Sequence, residues 1–304
     1  MKFITKTKNK KKLKKYFEIV NLMKVYSITH KPIKNLERLG LIPVGVGLNQ
    51  FPKNYIIDNT ENNIAYKNEN YGEITFHYWF WKNLIDQNLN NEWFGICHYR
   101  RFFVNLKYQN QIKNTDGKQG FLDNNLDIGR LKNMIQKEPA PEWKNKDVVL
   151  CEPSGVSGAK KMKIIKRGFK SLIRDPSILF NKNKHTLKLH FDMFHGFGNL
   201  DKAISQLPQK DKSDFKEYVS TKTSLSANCM FMSNKTEIVK NFYEDLFEWL
   251  FKCEKIFGLT DLKGYGLQRI YTFLTERYMP FWFEKYSKVG HWPWVFTDIS
   301  KIKD

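Results

Sequence analysis

An apolar run that ends abruptly in ring and guanidinium side chains constrains this chain more than any other feature. Trp93-Phe94-Gly95-Ile96-Cys97 reads as a short strand, apolar on both faces and suited to the middle of a sheet covered on each side. His98, Tyr99, Arg100 and Arg101 follow at once. In open α/β sheets, ligands bind in the crevice beyond the carboxyl ends of the strands. Two arginines there suit an anion, because their planar forks match phosphate oxygens in pairs. Taken alone, the same residues fit a plain basic strand end at the surface. The segment upstream favours a site.

That segment holds Asp58-Asn59-Thr60-Glu61-Asn62-Asn63-Ile64, then Asn68-Glu69-Asn70-Tyr71-Gly72-Glu73-Ile74-Thr75, then Phe76-His77-Tyr78-Trp79-Phe80-Trp81-Lys82-Asn83. Through Asn63-Ile64, Asn68, Tyr71, Glu73, Thr75, Tyr78-Trp79, Trp81-Lys82-Asn83, Gly95 and His98-Tyr99-Arg100-Arg101, the chain resembles a bacterial family. The family was first catalogued as a domain of unknown function (number 4422) and occurs in capsule and lipopolysaccharide synthesis loci. Its members read roughly D-x-T-G-x-N-I-S, N-x-x-Y-x-E-L-T, Y-W-x-W-K-N and G-x-x-H-Y-R-R. The resemblance covers about Met23 to Phe283. It implies an α/β, GT-A-like nucleotide-sugar-binding fold with a mostly parallel central sheet flanked by helices. The activity it implies is a glycosyltransferase moving a hexose, galactose in pyranose or furanose form among the candidates, from a UDP-sugar. The acceptor it implies is lipid-linked or polysaccharide. On the donor side it points to Asn63, Asn68, Glu73 and Tyr99, with His98, Arg100 and Arg101 as catalytic candidates.

Length and composition fit one large domain, or one domain with a small appendage. The 304 residues are 41% hydrophobic and include 24 Phe, 14 Tyr and 8 Trp, enough for a substantial core. Four cysteines, Cys97, Cys151, Cys229 and Cys253, stand far apart with no C-x-x-C pair, which argues for buried thiols in a reducing compartment rather than zinc. The formal charge of +20 points to polyanionic surroundings: phosphorylated small molecules, anionic lipid or nucleic acid. No apolar run approaches the ~18 residues of a spanning helix, and no signal-peptide core is present. These features predict a cytoplasmic protein, peripheral at the inner face of the membrane.

The expected organisation is a basic tail over 1–20, a glycosyltransferase domain over 21–285 and a C-terminal arm over 286–304. The first strand, Met23 to His30, brings Thr29, His30 and Lys31 to its carboxyl end as contacts for a nucleotide's base and ribose. A helix is predicted from Tyr71 to Asn83, capped by Asn68 or Asn70, with Glu73 in its first turn. A second helix is predicted over 236–257, with Phe242, Leu246, Trp249, Leu250 and Cys253 as its core stripe.

Residues 158–188 form a basic amphipathic insertion, with ten Lys or Arg against Asp175 and with Ile165, Phe169, Leu172 and Ile173 at helical spacing. Such a helix fits either an anionic membrane surface or ordinary packing on the domain. Further on, Asp201 is both a candidate N-cap and, by resemblance to GT-A enzymes, the candidate base for the acceptor hydroxyl, with Glu73 and Asp192 behind it. His195, Asn228, Gln268 and Arg269 are candidate acceptor contacts, joined by Glu276. Arg269 pairing with Glu73 or Glu276 is the structural alternative.

Many such enzymes hold a divalent metal on a D-x-D motif, and this sequence has none. No metal ligand or other cofactor is therefore assigned. Fixed arginines can neutralise a departing diphosphate as its charge develops, and one base fits inversion at the anomeric carbon. A nucleic-acid-binding protein would interleave its bases with exposed aromatics. Here the aromatics lie in buried-looking runs apart from the bases, so nucleic acid is not expected. A non-catalytic sugar-binding relative is the remaining alternative.

Overall fold

A computed structural model describes residues 23–34, 36–86, 92–115, 118–121, 126–156 and 161–302. The basic tail over 1–20 and the first residues of the insertion lie outside them. Four strands, β1 (Lys24–Thr29), β2 (Ile42–Gly45), β3 (Ile56–Ile57) and β4 (Phe94–His98), form a parallel half-sheet in the order β3-β2-β1-β4. Five more complete the sheet: β5 (Arg101–Phe103), β6 (Val148–Cys151), β7 (Phe231–Ser233), β8 (Val289–Trp292) and β9 (Trp294–Phe296). β7 runs antiparallel between β4 and β6, while β8 lies parallel beside β6.

The sheet is covered on both faces, and the pleat sorts its side chains between two cores. Tyr26, Phe94, Ile96, Leu150 and Phe231 join the larger core. Val25, Cys97, Val149 and Met232 join the second, with Phe102, Trp143 and Trp292. β4 sits in the middle, as its apolar run predicts. Gly95 faces Met232 across the strand pair, and a Cβ there would lie 1.9 Å from the methionine sulfur. The glycine makes room for a side chain that crosses the central strand.

Helices pack on the larger core. The predicted stripe of the 236–257 helix is fully buried in Thr236–Phe257. The helix predicted from Tyr71 is two helices instead, α1 (Asn68–Tyr71) and α2 (Ile74–Asn83). Gly72, at φ 54° and ψ −134°, breaks the chain between them. Asn68 is not a cap; its side-chain amide spans the break, donating to the Gly72 carbonyl and the Thr75 hydroxyl. The segment expected to dock as an arm is woven into the sheet: β8 extends it, and β9 pairs with β5 in the register Phe296 to Arg101.

The insertion forms α3 (Lys161–Arg167) and α4 (Phe169–Arg174). α5 (Leu187–His195) and α6 (Asn199–Ser205) follow. Asp201 lies inside α6, which is capped by Gly198, so the expected N-cap is one turn off. α8 (Ile270–Tyr286) closes the fold after the long helix α7 (Thr236–Phe257). No helix among the described residues is long and apolar enough to cross a membrane.

Candidate functional site

The parallel half of the sheet is built outward in both directions from β1, so the order switches between β1 and β4. A crevice opens beyond the carboxyl ends of two such strands, because the chains leaving them turn to opposite sides. The described cleft lies there. Ile28, Thr29 and His30 from β1, and His98 to Arg101 from β4, form one wall. Val46, Asn68, Gly72 and Glu73 form a second. Asn228 closes the floor, and Tyr265, Arg269, Thr272, Phe273 and Glu276 close the far side.

Local structure fixes each polar group. Thr29 turns its hydroxyl onto Lys31, donating to its carbonyl at 2.6 Å and receiving its N–H at 3.2 Å, which shapes the turn at the strand end. His30 meets the Tyr99 ring edge-on at 5.6 Å. Burial lowers the His30 pKa, and Lys31, Arg100 and Arg269 lower it further; all three cations are felt at this ring. The Arg100 guanidinium lies 4.8 Å from the centre of the Tyr99 ring. Its Nε is buried with no hydrogen-bond partner among the described residues. Arg101 opens β5 and lies against Phe296 at 5.6 Å.

His98 is buried. Burial lowers its pKa against the opposing pull of Glu73, which keeps the ring neutral. Its Nε2 lies 2.5 Å from the Asn228 carbonyl, so the proton belongs on Nε2. Glu73 Oε1 stands 4.0 Å from the same nitrogen. The Asn228 N–H donates to Glu276 Oε1 at 3.3 Å. Glu276 Oε2 accepts from Arg277 at 2.8 Å, and Arg277 also donates to His190 Nδ1 at 3.0 Å. Burial raises the Glu276 pKa, Arg277 opposes this, and the nearby Glu73 charge adds to it.

Among the sequence candidates, Thr29, His30, Asn68, Glu73, His98, Tyr99, Arg100, Arg101, Asn228 and Arg269 meet in this cleft. Others lie elsewhere. The Asn63 side chain accepts from Ala65 N–H and donates to the Glu61 carbonyl, shaping its own loop. Lys31 contributes its backbone to the Thr29 turn. The Gln268 carbonyl receives the Asn70 amide. His195 stacks on Phe273 at 3.9 Å and hydrogen-bonds the Gly266 carbonyl, while burial and Arg277 push its pKa down to about 2. It supports the cleft from behind.

The candidate base needs the largest correction. Asp201 is 45% exposed on its side chain, pairs with Lys188 at 2.5 Å and does not line the cleft. Asp192 is buried but accepts the Gly198 N–H, and it too stays outside. The carboxylates in the cleft are Glu73 and Glu276. Among the described residues, Arg269 forms no ion pair with either. Its guanidinium packs on Gly72, where a Cβ would lie 2.9 Å from Nη1, and Glu276 is paired with its neighbour Arg277 instead. Sequence reasoning missed Thr272, Tyr265 and Gly72 as lining residues and ranked Glu276 low. The signal for Glu276 was the one acid in the largely apolar stretch from Ile270 to Phe283. No group of three or more His, Cys, Asp or Glu arranged to hold a metal occurs among the described residues.

The fold and cleft define an α/β protein with a polar crevice at its sheet's switch point, lined by Arg100, Arg101 and Arg269 and by the carboxylates Glu73 and Glu276. A family profile described as a domain of unknown function (DUF4422) matches residues 24–288, and the chain belongs to that family. Among solved structures, the fold is similar to the apo structure of WbbM, a bifunctional glycosyltransferase. The TM-score is 0.66 at 20% identity, covering 90% of this chain. The chain spans about 45% of that protein's length. No curated protein matches the sequence.

Proposed function

We propose that the cleft binds a nucleoside-diphosphate sugar, a UDP-hexose in the first instance, and that the chain is a glycosyltransferase acting on a glycan or lipid-linked oligosaccharide in capsule or lipopolysaccharide synthesis. The observation that carries this reading is the meeting of Arg100, Arg101 and Arg269 with Glu73 and Glu276 in one switch-point crevice. The fold's likeness to a bifunctional glycosyltransferase supports it.

In this reading Thr29 and His30, at the end of β1, receive the nucleoside. Arg100 and Arg101 hold the diphosphate. Glu276 takes the proton of the acceptor hydroxyl, whose oxygen attacks the anomeric carbon. The bond from that carbon to the diphosphate oxygen breaks, and its electron pair leaves with the diphosphate. The arginines stabilise that charge as it develops, which is where fixed cations act most. A base opposite the leaving group fits inversion. Burial suits Glu276 to the role, because a raised carboxylate pKa makes a better base near neutral pH. His98 and the Asn228 backbone position the two carboxylates.

Calorimetric titration with UDP-glucose, UDP-galactose, GDP-mannose and a CMP-sugar, with and without EDTA, tests the proposal. Saturable binding of one UDP-sugar that survives EDTA and weakens in an Arg101→Ala variant is expected. No binding of any nucleotide sugar, with or without manganese, overturns it.

A further inference from the structure

Five of the eleven large apolar side chains exposed among the described residues fall between positions 162 and 180. Met162, Phe169, Ile173 and Phe180 are each at least 60% exposed, with Ile165 between them. Met162 and Ile165 lie three apart on α3, and Phe169 and Ile173 four apart on α4, so each helix turns an apolar pair outward. The opposite face is the one that packs: Ile164 and Leu172 join Ile178, Leu189 and Met193 in a small core of their own. Leu172, grouped by sequence with the apolar stripe, therefore belongs to the inner face. A short amphipathic helix on a domain should turn its apolar side inward; this pair has an apolar side inward and another outward.

The outward side is also strongly basic. Lys161, Lys163, Lys166, Arg167, Lys170, Arg174, Lys182 and Lys184 are all exposed. The acid among them, Asp175, is held by Lys184 at 2.5 Å. Several bases lie along aromatic rings: Lys161 over Phe180 at 5.2 Å, Arg167 over Phe194 at 4.9 Å and Arg174 over Phe197 at 4.7 Å. Long basic side chains on apolar stems can keep their charges at a polar boundary while the stems and neighbouring rings go deeper. A protein partner with an acidic face would satisfy the charges and leave Phe169, Ile173 and Phe180 unmatched. A bilayer with anionic headgroups matches both at once.

We propose that the outward face of α3 and α4, with Phe180, is a docking surface for an anionic lipid bilayer, in which the apolar stripe enters the headgroup boundary and the lysines and arginines meet lipid phosphates. The cleft lies close by through α5. Leu189 and Met193 pack beneath the docking helices, and His195 at the end of α5 stacks on Phe273, which lines the cleft. A bilayer seated here lies on the Tyr265 and Phe273 side, where a lipid-linked acceptor would enter. The surface stands independently of the donor reading, since none of its residues lines the cleft.

Flotation of the full chain with vesicles tests the proposal. Phosphatidylcholine vesicles containing phosphatidylglycerol are compared with pure phosphatidylcholine at about 0.15 M salt, where the Debye length is about 8 Å. A combined Phe169→Ser, Ile173→Ser and Phe180→Ser variant keeps every charge, including the lysine-rich residues 1–20, and removes the exposed apolar groups alone. The expected result is recovery of the parent chain with anionic vesicles and little with neutral ones. The variant should lose at least tenfold in affinity for anionic vesicles, with unchanged thermal unfolding and nucleotide-sugar binding. Equal recovery of parent and variant overturns the proposal, as does equal recovery on both vesicle types. It is also overturned if neither chain floats while the variant changes only the oligomeric state or the binding of a short RNA duplex.

Discussion

The backbone of Asn228 touches both sides of the cleft's polar floor: its carbonyl lies 2.5 Å from His98 Nε2, and its N–H donates to Glu276. That geometry depends on an unusual chain path. Asn228 has φ 76° and Cys229 has φ 50°, both in the left-handed region. Asparagine tolerates this region, whereas cysteine there costs on the order of 1–3 kcal/mol. Burial of Cys229, Met230 and Phe231 in the two cores offsets the cost. The strain sits where a backbone carbonyl and N–H must face two side chains from elements far apart in sequence.

Arg100 and Arg101 are expected to bind the donor through its diphosphate. A charge-assisted hydrogen bond contributes about 1.5–3 kcal/mol, so Arg101→Ala should weaken UDP-sugar binding roughly 10- to 100-fold. Transfer should slow more than binding weakens, because the departing diphosphate carries more charge than the bound one. Arg101→Lys should rescue in part only, since a point charge cannot reproduce a planar fork. Transfer abolished by EDTA and restored by manganese would show that the arginines do not replace an ion.

Glu276→Gln should leave donor affinity near normal while turnover falls by about 10²–10⁴-fold. Asp201→Asn should stay within about twofold of the parent, since it breaks an exposed ion pair of small worth. The base works ionised, so kcat/KM should fall as pH drops through the raised Glu276 pKa, and that acidic limb should flatten in the glutamine variant. Normal turnover in Glu276→Gln with a collapse in Asp201→Asn would reverse the assignment.

Asp58 gives a stability prediction with a defined sign. Its carboxyl is fully buried, and burial raises its pKa to about 6, with the Thr75 hydroxyl and the Gly47 N–H pulling the other way. The folded chain therefore holds this proton more tightly than the unfolded chain. Stability from this group is greatest in acid and is lost as pH rises from about 4 to about 6, a change on the order of 3 kcal/mol. Asp58→Asn keeps an oxygen for Gly47 and removes the titration. It should be more stable than the parent at pH 8, by a margin that shrinks toward pH 4. Urea midpoints across that range measure the difference, and a flat one would contradict the assignment.

Gly72→Ala should damage stability and site together. The backbone at φ 54° and ψ −134° is glycine's, and a Cβ would lie 2.8 Å from Thr272 Oγ1 and 2.9 Å from Arg269 Nη1. Strain of about 1–3 kcal/mol is expected in a denaturant midpoint, with weaker nucleotide binding as Arg269 is displaced. Unchanged stability would mean that the break between α1 and α2 relaxes freely.

The sequence by itself determined the local elements. Strand β4 and its polar end follow from an unbroken apolar run, and the core stripe of Thr236–Phe257 from apolar residues spaced three and four apart. Neighbours along one element carry that information. It also marked the insertion as basic and amphipathic, but could not say which apolar residues turn outward, because Leu172 and Ile173 differ by one position and end on opposite sides. Tertiary structure alone decided which polar residues meet. Glu73 and Glu276 are 203 positions apart, and only the packing of α8 against the sheet brings both to the cleft. The same packing leaves Asp201 outside beside Lys188, although its place at the start of a helix reads locally as a site. Convergence of distant side chains is fixed by how whole elements bury their apolar faces, and no short-range periodicity records it.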